Sequence, residues 1–479
     1  MSEIQQLDEQ WVRRYRDLGY DLYWWWTWTG PFTQEEKQTW KRLEASADQR
    51  ELQRALLKTA RERALAEAWS GDHDPQLWYP TISQETLAGL LEMMGQLKEE
   101  IQAEEADPLV RHLYLETLGW EESRLHMVEA SVLQDPERFR QYSCWRTAPP
   151  TKTEMLAGLA YVVLVLQRAF SKAGTEALAR QVWETLQSAL SFSLEEVPEE
   201  EKDAVYLSFE REKSVLSLPQ FEAPVLQRFF STIFADLGLA GWRVEIDSDA
   251  PNVWVSDASL LLRNQPESLP RVRHLLVHEF GHLLRREAGR RSPLGLLGIG
   301  TRNYEITEEG LLLYLEKKLL EQQGQRLDDA GHRLITLATG LACGTCGAPM
   351  GFTALWKLLS CFSCLPRMLR HPQDGRDEVE KEAQSYALRL CLRIFRGVPC
   401  LEQQHGVCNT KEVIYLRGLR EIEQALAGDA SLLTRLGVGK VGLEDLEIVE
   451  QLGARAPFSL DRLFAVATNP RLEEIIRQS

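Results

Sequence analysis

The sequence predicts an α+β protein in two parts, an all-helical domain over residues 1–215 and a second domain over 216–479 that joins a small sheet to an active-site helix. Three observations predict it. Helix-start signals separated by charged or proline-rich breaks fill the first part. Runs rich in β-branched, aromatic and leucine residues cluster between residues 242 and 262. An apolar stretch just after them ends in His278-Glu279-Phe280-Gly281-His282.

In the N-terminal part, the capping-box pattern Thr33-Gln34-Glu35-Glu36 opens a helical segment reaching about Trp69, and another helix is expected around Thr153 to Phe170. Breaks fall at Gly71-Asp72-His73-Asp74-Pro75, at Ala148-Pro149-Pro150 and at the acidic run from Glu195 to Glu201. The tryptophans Trp24, Trp25, Trp26 and Trp28 either pack beneath the helices that follow or offer an anchor to a partner protein or membrane interface. His73, His112 and His126 show no metal-ligand spacing.

Strand-like runs follow at Trp242 to Ile246, Asn252 to Ser256 and Leu260 to Leu262. An edge strand beside a catalytic helix suits the binding of an extended peptide backbone. In a helix, residues four apart share a face, so His278 and His282 both point an imidazole at one metal while Glu279 projects beside them. Zinc lowers the pKa of a bound water to about 7, and Glu279 is placed to take its proton as the water attacks a carbonyl. The same pentapeptide also arises on amphipathic helices with incidental histidines, and the preceding strands tilt the reading towards a zincin-like metallopeptidase.

A third ligand is then required, with one coordination position left open. The run Tyr304 to Tyr314 reads as a helix with Thr307 as its N-cap and with Glu308 and Glu309 in its first turn. Complementarity to the helix dipole accounts for one of these two glutamates.

The run Leu275 to Arg285, then Gly289, Ser292-Pro293-Leu294, Leu297-Gly298, Tyr304 and Thr307-Glu308-Glu309-Gly310-Leu311, resembles the tyrosine/phenylalanine carboxypeptidase family. Its bacterial members are named for a Q-E-G-L-A motif, and its animal members are the microtubule-associated tyrosine carboxypeptidases. Arg393-Ile394-Phe395-Arg396-Gly397 is similar to the family's R-x-x-R-G, the run from Thr410 to Leu419 to its T-K-D-x-x-Y-L-x-G, and Gly439-Lys440 to a later G-K. The likeness spans roughly residues 222–465. It implies His278, His282 and Glu309 as metal ligands, Glu279 as the catalytic glutamate, and release of a C-terminal Tyr or Phe from a protein or peptide with a free C-terminus.

The chain departs from that pattern in reading H-E-x-x-H where the family has H-E-x-x-x-H, E-E-G-L-L for Q-E-G-L-A, and Glu412 for the usual aspartate. An i,i+5 pair needs a local bulge to converge on one metal; the i,i+4 pair here does not.

A carboxypeptidase must hold a terminal carboxylate and stabilise an oxyanion, tasks suited to a guanidinium, an ammonium and a phenol. Arg393 and Arg396 are the candidates for substrate binding, and Lys411 and Tyr415, four apart, for catalysis at the same substrate end. Solvated charges on helix faces are the bland alternative for the arginines and the lysine.

Cys343-Gly344-Thr345-Cys346 and Cys361-Phe362-Ser363-Cys364 have a spacing compatible with a second, structural zinc held by four thiolates. Their apolar, helical surroundings equally suit small buried side chains, and disulfide-based redox control is a third reading. Cys144, Cys391, Cys400 and Cys408 show no metal spacing. Eight cysteines without a secretory signal fit a reducing, cytoplasmic compartment.

The formal charge of −16 makes nucleic acid an unsuitable partner. The most apolar run, Met155 to Leu166, is shorter than the roughly 20 residues a membrane span needs, so no transmembrane segment is expected. The sequence thus points to a zinc metallocarboxypeptidase. The alternatives are a regulatory zinc endopeptidase and a zinc-stabilised binding protein with a lapsed site; the intact Glu279 weighs against the last.

Overall fold

The computed structural model describes residues 6–18, 82–207, 219–239, 241–247, 253–255, 258–373, 375–399, 406–458 and 460–479, with scattered positions between 35 and 75. The tryptophans at 24, 25, 26 and 28, together with Thr33, Trp69 and Cys400, lie outside the described residues. The chain is mostly helical, 71%, with a small sheet, which agrees with an α+β class.

Among the described residues the helices before the sheet are α1 (Glu9–Asp17), α2 (Gln84–Glu104), α3 (Pro108–Leu133), α4 (Pro136–Arg146), α5 (Lys152–Phe170), α6 (Glu176–Ala189) and α7 (Glu199–Asp203). Strand β1 (Gln220–Phe221), helix α8 (Ala223–Asp236) and strands β2 (Arg243–Asp247), β3 (Trp254–Val255), β4 (Ser259–Arg263) and β5 (Glu267–Ser268) follow. Then come α9 (Leu269–Arg290), α10 (Tyr304–Gln322), α11 (Ala330–Cys343), α12 (Phe352–Arg370), α13 (Arg376–Ile394) and α14 (Ile414–Gly428). Four short helices close the chain: α15 (Leu432–Arg435), α16 (Leu446–Gln451), α17 (Leu460–Thr468) and α18 (Leu472–Gln478).

Local chemistry sets the helix starts. Asp107 and Asp135 each cap a helix that opens on proline, whose missing N–H costs nothing at that position. Helix α5 begins one residue before the expected Thr153: Thr151 and Glu154 form its capping box. By length and composition α5 is apolar enough to cross a membrane, yet 67% of that window is buried inside the protein. Its Glu154 receives the Arg417 guanidinium at 2.7 and 2.9 Å.

The three strand-like runs all form strands. In the order β2-β4-β3, β2 pairs parallel with β4 and β3 pairs antiparallel with it; β1 and β5 make a separate antiparallel pair. Among the described residues, two large hydrophobic clusters hold the molecule. One joins Trp11, Tyr114, Phe230, Phe280, Leu312 and Val449; the other joins Phe139, Leu159, Leu337, Trp356 and Leu390. Each draws on residues before and after position 215, so the N-terminal helices share their cores with the helices that carry the site.

Candidate metal centre

Helix α9 is capped by Ser268, whose hydroxyl accepts from the Arg271 amide at 3.4 Å, with Pro270 in its first turn. Leu275, Leu276, Phe280, Leu283 and Leu284 form its buried face, where Phe280 packs on Phe230 and Phe234 with ring centres 5.1 and 5.2 Å away. The opposite face carries half-buried His274, His278, Glu279 and His282. At its far end the fully buried Arg285 donates to the carbonyls of Gly439 and Val441 at 2.9 and 3.1 Å, which ties α9 to the Gly439-Lys440 loop.

Helix α10 lies against α9 because Gly281 has no side chain: a Cβ there would stand 2.2 Å from Leu312 Cδ2. The helix begins at Tyr304, after Asn303 in the left-handed region at φ 58°, which corrects the expected N-cap at Thr307. Thr307 is inside the helix, where its hydroxyl accepts from the Leu443 amide at 3.0 Å. Glu308 and Glu309 therefore sit in the second turn, away from the helix-dipole explanation; Glu305 is the first-turn acid.

Helix α14 packs on α10 through a second glycine contact. A Cβ on Gly310 would lie 2.1 Å from the Gly418 carbonyl carbon, and one on Gly418 would lie 2.2 Å from the Ile306 oxygen. The glycines of two of the sequence motifs are thus the crossing point of two helices. That crossing brings Tyr415 close enough to Glu309 for the carboxylate, together with burial, to push the phenol well above its ordinary pKa. The Tyr415 ring stacks on His332, centres 4.8 Å apart and planes at 22°.

His278, His282 and Glu309 meet with ligand atoms within 4.8 Å of one another. The two Nε2 atoms face the Glu309 carboxylate at 3.8 and 4.0 Å. Each Nδ1 faces another carboxylate on the same helix: Glu316 at 2.6 Å from His278 and Glu308 at 3.4 Å from His282. Glu316 also takes the Nδ1 of His274 at 2.9 Å, and the rings of His274 and His278 lie parallel within 12°. Sequence reasoning missed Glu316 and His274, although three histidines at i, i+4 and i+8 and an acid seven residues after Glu309 are readable signals.

The charges follow from this packing. Burial would raise the Glu308 carboxyl, but His282, Lys440 and Arg285 outweigh it and hold it far below the carboxylate range. Glu316 is likewise held at about 2 against burial by hydrogen bonds from His274 and His278. Burial would lower His278, yet Glu316, Glu309 and Glu279 lift it to about 9. For Glu309 burial wins over the histidines and its pKa rises.

A divalent zinc fits these residues. Two imidazoles and one carboxylate are a catalytic donor set, and ligands at about 2.1 Å around a tetrahedral ion stand roughly 3.4 Å apart, close to the spacings found here. Glu309 Oε2 is buried without a hydrogen-bond partner, as expected of an atom made to face a cation. The outer nitrogen of His278 is hydrogen-bonded to Glu316, which fixes that ring and directs its Nε2 inwards, and the outer nitrogen of His282 faces the Glu308 carboxylate.

One helical turn from Glu309, about 6 Å along α10, Glu305 opens a pocket lined by Arg124, Arg146, Arg396, Asn409, Thr410 and Lys411. Lys411 Nζ is 3.3 Å from Glu305. Burial would raise the Glu305 pKa, but Lys411, Arg146 and Arg124 bring it below its ordinary value. Arg396 Nε is buried without a hydrogen-bond partner. Arg393 is elsewhere, in a close ion pair with Glu412. Arg124 and Arg146, from α3 and α4, are pocket residues that no local pattern marked.

The four cysteines of the C-x-x-C pairs do not gather into one metal-binding group among the described residues. Cys343 stands 3.0 Å from Cys408, and Cys364 packs against Val379 and Ala383.

Residues 376–459 match the family model of the microtubule-associated tyrosine carboxypeptidases. The match supports a relationship to the tyrosine carboxypeptidases over that segment. This family segment contains Arg393, Arg396, Lys411, Tyr415 and Gly439-Lys440, and it begins after the histidine helix and Glu309. No curated protein and no solved structure matches the chain.

Proposed function

We propose that this protein is a zinc-dependent carboxypeptidase that removes a C-terminal aromatic residue, Tyr or Phe, from a protein or peptide. The observation that carries the reading is the convergence of His278, His282 and Glu309, with each imidazole backed by a carboxylate and Glu279 adjacent. The family match supports the exopeptidase part, and the family likeness underlies the aromatic preference. A histidine-bearing helix after a small sheet, followed by a glutamate-bearing helix, supports a zincin-like arrangement.

His278, His282 and Glu309 hold the metal, which when bound supplies Lewis-acid polarisation of the scissile carbonyl and acidification of water. Glu279 accepts the proton of the attacking water and passes it to the leaving amine. Tyr415, kept protonated by the charge of Glu309 and by burial, donates to the developing oxyanion while His332 holds its ring. Arg396 and Lys411 bind the substrate's terminal carboxylate, in a pocket where Arg124 and Arg146 add positive charge.

The test is a mixed peptide library incubated with zinc-loaded protein, read by mass spectrometry with Glu279→Gln as control. Loss of single C-terminal Tyr or Phe residues, absent from the variant, is expected. Internal cuts would replace this reading with an endopeptidase, and no cleavage by a zinc-loaded protein would refute it.

A further inference from the structure

The proposed mechanism uses none of the cysteines, yet two of them meet. Cys343 ends α11, and Cys408 precedes the pocket residues Asn409, Thr410 and Lys411. Their sulfurs are 3.0 Å apart although 65 residues separate them in sequence. Cys343 is half-buried and open to a small oxidant; Cys408 is buried, with its sulfur 3.9 Å from the Thr339 carbonyl. Both are free thiols. Neither partner in this contact is the one the C-x-x-C spacing would give.

We propose that Cys343 and Cys408 form a redox modification site in which a peroxide-class oxidant links the end of α11 to the segment that lines the cationic pocket. The Cys343 sulfur attacks one oxygen of hydrogen peroxide, the O–O bond breaks, and a sulfenic acid and one water result. The Cys408 sulfur then attacks the sulfenic sulfur; the S–S bond forms, the S–O bond breaks, and hydroxide leaves as water with the Cys408 proton. Two thiols lose two electrons and two protons, and one peroxide becomes two waters.

The linkage reaches the pocket through a pinned backbone. The Asn409 amide donates to the Ile394 carbonyl at 2.7 Å, the Thr410 amide to Ser143 Oγ at 3.1 Å, and Thr410 Oγ1 to the Ser143 carbonyl at 2.9 Å. A disulfide draws the sulfurs from 3.0 Å to about 2.05 Å, and with the neighbouring backbone pinned, whatever part of that roughly 1 Å the two side chains do not absorb by rotation strains the turn three residues before Lys411. A misplacement approaching 1 Å at a substrate-positioning group costs up to about 10²-fold in rate. This second consequence rests on the carboxypeptidase reading; the cross-link does not.

The experiment treats the reduced full-length protein with hydrogen peroxide, maps cross-links by tandem mass spectrometry of unreduced digests, and follows peptide cleavage in the same samples. A Cys343–Cys408 link, lost in Cys343→Ser and kept in Cys361→Ser, is expected. Cleavage should fall tenfold to a hundredfold, recover with dithiothreitol, and not fall in Cys343→Ser. A dominant link within either C-x-x-C pair or between Cys144 and Cys343, or sulfinic acid at Cys343 without a link, would overturn the site. A Cys343–Cys408 link that leaves cleavage unchanged would overturn its coupling to the pocket. A protein with no peptidase activity still reports on the link, which separates failure of this proposal from failure of the functional one.

Discussion

Gly310→Ala adds one methyl group where α10 crosses α14, and the structure gives the size of its effect. The new Cβ would stand 2.1 Å from the Gly418 carbonyl carbon, about 1.3 Å short of the 3.4 Å at which ordinary contact begins. The obstructing atoms are backbone, so the helices themselves must separate. Alanine favours an isolated helix over glycine by about 1 kcal/mol, while forcing a close-packed contact apart costs about 1–3 kcal/mol or more. The overlap wins, and a net loss of about 2 kcal/mol in unfolding free energy is expected, read by urea denaturation. Glu309 precedes Gly310 and Tyr415 lies one turn before Gly418, so the separation also moves a proposed ligand away from the proposed oxyanion donor. A shift near 1 Å predicts about a hundredfold fall in kcat/KM on a peptide ending in tyrosine. Gly418→Ala strikes the same crossing, so the double variant should lose less than the sum of the two single losses. A Gly310→Ala protein with wild-type stability and turnover would refute the helix-crossing argument.

Glu279→Gln should retain zinc, measured by elemental analysis, and lose at least about 10²-fold in turnover; loss of the metal instead would mean that Glu279 is a ligand. Glu316→Gln, and separately Glu308→Gln, should weaken zinc binding about 10- to 100-fold in a chelator competition, and unchanged affinity in both would show that these carboxylates do not orient the histidines. Arg396→Ala should raise KM for peptides with a free C-terminus, while peptides ending in a carboxamide should be poor substrates of both proteins; equal cleavage of acid and amide would remove the carboxylate pocket from the mechanism. Burial would raise the Glu154 pKa, but Arg417 and the Thr151 cap lower it below the ordinary carboxylate value. Its stabilisation is therefore complete above the unfolded-state pKa and is lost as pH falls through the lower folded-state value, so the Tm gap between wild type and Glu154→Gln should be widest near neutrality and close in acid.

What the sequence disclosed was what depends on neighbours along the chain. His278, Glu279 and His282 are readable because one helical turn brings them together, and the three strands because apolar β-formers cluster around short breaks. The start of α10 was misread because Thr307 has the chemistry of a cap, yet its hydroxyl serves the Leu443 amide, 136 residues away. The restraint of His278 by Glu316 crosses 38 residues between two helices, and Arg146 reaches the pocket from a helix more than 250 residues before Lys411. Such meetings are set by packing, above all at Gly310 and Gly418, whose spacing in the sequence does not announce which backbone will lie against them. The C-x-x-C spacing suggested partners within each pair, whereas the sulfur nearest Cys343 arrives from a distant turn.

Helix α10 contributes Glu309 to the proposed metal and also Glu308 and Glu316, the two carboxylates that hold the histidines. The three proposed ligands and the carboxylates beside them therefore come from two neighbouring helices, while the pocket proposed to grip a substrate is lined mostly from α3, α4 and the turn at 409–411. On the proposed reading, the ligands of the ion and most of the substrate pocket come from different parts of the chain, with α10 shared between them through Glu309 and Glu305. If the proposed function holds, substitutions at Arg124 in α3 or Arg146 in α4 are expected to change which peptide ends are accepted more than the cleavage step itself.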